Sequence, residues 1–175
     1  MRRHDSTTLW MAAGFGAISG IRSMAGIALL SWGRHHRPGG TLRRLGEMAA
    51  LRLSGNHRIT TLLARRYVDT VTATLAAGEM TADKVADLPP RTELPALLGR
   101  AAFGALSGLA VAELRDGPRA LAATTGALSA IASAHLFYQV RKAATDQSSI
   151  PDWAIGLAED VLILIGGKRL IDQLR

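Results

Sequence analysis

The chain has 175 residues, enough for one domain and short for two. It contains no cysteine, which excludes disulfides, thiolate metal centres and a cysteine nucleophile together. Lys and Arg outnumber Asp and Glu by 21 to 14 and the isoelectric point is about 11.0, so the charge calls for an anionic partner, a membrane surface or a nucleic acid.

The placement of the apolar residues favours the membrane. Charges cluster in short runs, and between them lie windows of roughly 20 residues, the length that crosses hydrocarbon as a helix. The first window, 9–32, is too long for the apolar part of a secretory signal and reads as a retained spanning helix, with Trp10 and Trp32 as interface anchors. The connector 33–66, "GRHHRPGGTLRRLGEM" at its start, is basic and carries Leu42, Leu45, Met48 or Ala49, and Leu53 at helical spacing, which fits an interfacial helix on anionic lipid headgroups or a solvated loop. The second window, 67–88, has spanning length but holds Glu79, Asp83 and Asp87 on one helical face, which must turn toward protein or water. "PPRTELP" stops it. Windows 96–114, 118–140 and 152–171 complete about five spanning helices in a single membrane domain over 1–175, an all-α polytopic bundle, with Ser149 or Asp152 as candidate caps of the last helix. Alternate loops place most of the Arg and Lys with the 33–66 connector, the "RDGPR" turn and the C-terminus, so the C-terminus is expected on the cytoplasmic side of an inner membrane and the N-terminus outside.

One phrase occurs three times: "GAISG" at Gly16–Gly20, "GALSG" at Gly104–Gly108 and "GALSA" at Gly126–Ala130. Each is a small-xxx-small element that lets helix backbones approach closely. The first and fourth windows carry it and are each followed by an acidic segment, and with the first running inward and the fourth outward they would form an inverted-topology repeat.

"SGIRSMAG" at Ser19–Gly26, "GEMTADKVADLPPRTELP" at Gly78–Pro95, "GRAAFGALSG" at Gly99–Gly108 and "AED" at Ala158–Asp160 resemble the bacterial membrane family catalogued as domain of unknown function 4126. The resemblance spans roughly Ala12 to Gly167 and implies a small integral membrane protein. It implies no activity.

Arg22 is the permanent cation of an otherwise apolar segment, and an Arg at a helix centre costs about 2.5–3.5 kcal/mol on insertion scales unless it finds a carboxylate, carbonyls or water. Glu79, Asp83, Glu159 and Asp160 are the available counter-charges, with Glu79 or Glu159 the expected partner. Ser19 and Ser23 flank the site, and Lys84 beside Asp83 reads as a local salt bridge near the interface. Arg91 and Glu93 are expected to clamp helix ends, Arg100 to snorkel to headgroups, and His135 to make an interhelical hydrogen bond. His35 and His36 have no further ligands at useful spacing, so no metal and no cofactor is expected. No phosphate loop, nucleophile elbow or paired metalloprotease histidines occur, so an enzyme is not expected. These residues fit transport or permeation of an ion or small solute through a midplane polar site. The alternative is a scaffold or accessory subunit that binds lipid or partner helices. The Gly/Ala faces are compatible with a homo-oligomer, and nucleic acid is not an expected partner because aromatic residues are few and are not interleaved with the basic ones.

Overall fold

Runs rich in Ala, Leu, Ile and Gly and free of internal proline have little alternative to helix in an apolar setting, where the backbone must satisfy its own hydrogen bonds. The computed structural model describes residues 3–35, 70–75, 92–147 and 151–174, and all the regular structure among them is helical. Five helices carry the fold: α1 (Arg3–Ile21), α2 (Ala25–His35), α3 (Leu94–Arg115), α4 (Arg119–Gln147) and α5 (Asp152–Gln173). Residues 70–75 are also helical, with Thr72 buried. The all-α reading of the sequence holds, and the last three helices begin within two residues of their expected starts. Glu93 occupies the N-cap position of α3 with a proline in the first turn, and Asp116 ends the helix in the left-handed region at φ 50°. Pro151, rather than Ser149 or Asp152, stands at the N-cap of α5.

The first window departs from its expected form. It is not one helix: the chain breaks at Arg22–Ser23–Met24 and turns back, so that Ile27 and Leu30 of α2 join Met11 and Phe15 of α1 in one apolar cluster. Gly26 makes the return tight, because any side chain there would strike the Phe15 carbonyl and Ser19 Oγ. The 11 residues of α2 span about 16 Å at ~1.5 Å per residue, half a bilayer core. Spacing of apolar residues could not reveal the break, since both arms are apolar and the turn residues Arg22, Ser23 and Met24 are ordinary in helices.

The threefold phrase is where α1, α3 and α4 meet. A side chain on Gly16 or Gly104 would fall on the Gly126 carbonyl, one on Gly126 on the Gly104 carbonyl, one on Gly108 on the Ala122 carbonyl, and one on Gly20 on the Ala130 carbonyl and Ser133 Oγ. The order of these contacts fixes direction. Thr8 lies at Gly117, Gly16 at Gly126 and Gly20 at Ala130 and Ser133, so α1 and α4 run parallel while α3 runs against both. An inverted repeat of the first and fourth windows needs them antiparallel, and the break explains the discrepancy: once α2 returns, the first window no longer changes sides. The second window, which was to complete that repeat, lies outside the described residues except for 70–75.

Among the described residues, buried polar side chains share the interior with an apolar core that includes Met11, Phe15, Leu30, Val111 and Ile163, and many large apolar residues lie on the outside. Thr8, Ser19, Arg22, Ser31, Arg100, Ser107, Glu113, Ser133, Glu159 and Asp160 are buried, whereas Trp10, Leu98, Leu106, Leu121, Leu128, Leu136, Trp153, Leu157, Val161 and Leu164 are exposed. Two helices, α3 and the Arg119–Asp146 stretch of α4, are long and apolar enough to cross a membrane, and 33% and 28% of their most apolar windows is buried inside the protein. The start of α1, the end of α2, the α3–α4 turn and the end of α5 lie at one end of the bundle, as the proximity of Thr8 to Gly117, Gly14 to Leu170 and Gly33 to Ile171 requires. That end collects Arg115, Arg119, Lys168 and Arg169 together with Asp5, Glu113, Asp116 and Asp172, the last paired with Lys168.

Candidate functional site

The α1–α2 turn lies at the opposite end from those basic residues, with the middle of α5 and the N-terminal part of α3 packed against it. Breaking a helix leaves carbonyls at the end of α1 without intrahelical donors. Arg100, one and a half turns into α3, supplies them: its Nη1 donates to the Gly20 carbonyl at 2.8 Å and the Ile21 carbonyl at 3.0 Å. Cationic donors at a helix C-terminus also match its dipole. Arg100 is therefore buried and inward rather than extended toward headgroups, correcting the expectation of snorkelling.

Arg22 occupies the break itself and is 1% exposed. Its Nε donates to Asp160 Oδ1 at 3.1 Å, and its Nη2 lies 3.1 Å from the same oxygen. Among the described residues the counter-ion is Asp160 of α5 rather than Glu159, one of the two expected partners; the other, Glu79, lies outside the described residues. Glu159 and Asp160 are adjacent on a helix and point about 100° apart, so only one can face the turn. Glu159 pairs instead with Arg141 near the end of α4, Nη1 to Oε2 at 3.7 Å. Two ion pairs thus join α1, α4 and α5 at one level. A buried pair of this kind contributes little net stability when formed, but removing one partner costs about 3–5 kcal/mol because it strands the other charge.

Hydroxyls extend the layer into the seam. Ser19 Oγ and Ser107 Oγ, the serines of the first two copies of the repeated phrase, lie 3.3 Å apart, and Ser133 Oγ donates to the Ala17 carbonyl at 2.8 Å. The apolar cluster of Ile18, Ile21, Ala25 and Ile163 adjoins the charged residues.

Of the residues expected to form the site, Arg22, Ser19, Glu159 and Asp160 are brought together, Ser23 sits partly buried in the turn, and Arg100 joins them. Glu79, Asp83, Lys84 and Arg91 lie outside the described residues. Glu93 is exposed at the start of α3 without a side-chain cap bond, and His135 is exposed on α4. Sequence reasoning missed Arg141, Ser107 and Ser133. Arg141 counted as a loop cation because α4 was expected to end at Val140, whereas it continues to Gln147. Ser107 was discoverable, since it stands in the second copy of the phrase where Ser19 stands in the first. Among the described residues no group of three or more His, Cys, Asp or Glu side chains could hold a metal ion.

No family model matches the chain, and no curated protein or solved structure matches it either.

Proposed function

We propose that the chain is a multi-pass membrane protein that passes an ion or small solute through the charged layer built on the α1–α2 turn. The observation that carries this reading is the Arg22–Asp160 pair, buried at a helix break inside a bundle whose outer surface is apolar. Ionisable groups at membrane depth are rare and concentrate on substrate and ion pathways, and broken helices in membranes are tolerated where they line a protein-enclosed site. A charged solute entering the layer competes with Arg22 for Asp160, or with Arg141 for Glu159, which is the differential contact a transport cycle requires. The basic end of the bundle faces the cytoplasm by the excess of Arg and Lys there, which puts the C-terminus and the start of α1 on the same side. The resemblance to a membrane family without assigned activity agrees with this setting and adds no chemistry. No reaction is proposed.

In proteoliposomes the wild type is expected to carry flux of at least one member of a panel of monovalent cations, anions and small zwitterions. Asp160→Asn and Glu159→Gln should abolish that flux while the elution profile and helical content stay those of the wild type. A wild type that passes none of the panel would overturn the reading and favour a second one, a membrane scaffold in which the layer is a closed brace. The specific observation on that side is that Arg22 and Arg100 are already engaged by Asp160 and by the α1 carbonyls.

A further inference from the structure

Between α1, α4 and α5 an apolar groove of about 580 Å³ opens on the outer surface. It lies on the other side of the seam from the charged layer's α3 contacts and has no part in the ion pairs. Its cause is small residues: α4 and α5 barely touch, and Gly14 on α1 and Ala132 on α4 leave a slot where larger side chains would close it. Trp10 and Leu136 form its outer lips at 77% and 60% exposure, and Leu170 and Gln173 of α5 its far wall.

We infer that this groove holds one acyl chain of an anionic phospholipid, whose headgroup rests on Arg169. The inference rests on the membrane setting proposed above. The volume falls within the about 300–1,000 Å³ of small-molecule sites. Two turns of a helix about 10 Å across already occupy roughly 800 Å³, so a partner helix does not enter it. The exposed cation beside the groove is Arg169, one turn before Gln173 on the same face of α5. Lys168 is held by Asp172 at 2.8 Å, and Arg115 and Arg119 share their end of the bundle with Asp5, Glu113 and Asp116, so Arg169 is the residue that the headgroup meets. A chain entering from that leaflet therefore lays its methylenes against Trp10, Ala132 and Leu136 and brings its phosphate to Arg169. Each cation near an anionic headgroup contributes about 1 kcal/mol, or roughly fivefold in binding.

Trp10 is a reporter already in place. In a Trp32→Phe/Trp153→Phe protein reconstituted into vesicles, bromine-labelled phosphatidylglycerol should quench Trp10 with an apparent affinity several-fold above that of bromine-labelled phosphatidylcholine. Arg169→Gln should cut the preference about fivefold, and Ala132→Phe, which fills the slot from an exposed position away from the seam, should remove it while quenching by bulk lipid persists. Equal quenching by both lipids, unchanged by either substitution, would overturn the inference and leave the membrane setting intact. Trp10 shielded from both lipids would also overturn it, in favour of a second copy covering the groove. A protein that stays in the aqueous fraction without detergent would overturn this inference and the membrane setting together.

Discussion

Arg22 shows how a residue can announce a need without announcing what meets it. A guanidinium in an apolar run must be neutralised, and the acidic pair at 159–160 was an available source; which of the two faces the turn depends on the rotation of α5, a property of packing that the sequence does not state. The same holds for Arg100, whose acceptors exist only because α1 is broken. Two outcomes follow at this scale. Arg22→Met and Asp160→Leu should each lower unfolding stability in detergent by about 3–5 kcal/mol, and the double variant by well under their sum, because neither charge is then stranded; strictly additive losses would mean that the two side chains do not meet. Arg100→Leu should cost about 1.5–3 kcal/mol for each charged hydrogen bond it loses, with Arg100→Lys recovering part of the loss as read by the thermal midpoint. Full stability in Arg100→Leu would show that the α1 carbonyls are satisfied by other donors.

Among the helices, what could be read from the sequence was existence, type and the small-residue seam; what could not was the break in the first window and the extension of the fourth. The seam was legible because close approach of backbones restricts composition: Gly16, Gly104, Gly108 and Gly126 each face a carbonyl where no Cβ fits. Direction was not legible, since a small-xxx-small face serves parallel and antiparallel neighbours alike. Glycines of the same helices differ sharply in consequence. Gly20→Leu should prevent α1 from seating on α4, seen as loss of the folded monomer peak in size-exclusion chromatography, because Ala130 and Ser133 already occupy the space. Gly99→Ala and Gly166→Ala, whose added methyls meet no atom within 4 Å, should raise stability by up to about 1 kcal/mol each through helix propensity. A destabilised Gly99→Ala would place α3 differently from the description above.

At the scale of the molecule, the described residues bury Arg22, Arg100, Glu159 and Asp160 beside an apolar core of Met11, Phe15, Leu30 and Ile163, while many leucines and the tryptophans face outward. The outward leucines of α3 and α4 were legible in the sequence as sparsely charged windows of spanning length. A window taken as one crossing separates its start from the "RDGPR" turn, whereas a chain that turns at Arg22 puts the start of α1 beside that turn. The absence of native cysteine makes the difference directly measurable. In intact cells, single cysteines introduced as Ser6→Cys, Ala120→Cys and Thr145→Cys are to be challenged with a membrane-impermeant maleimide before and after permeabilisation. A bundle closed around the turn predicts that positions 6 and 120 react only after permeabilisation and that position 145, about 37 Å along α4 from position 120 at ~1.5 Å per residue, reacts before it. Labelling of position 6 from the side opposite to position 120 would contradict the account.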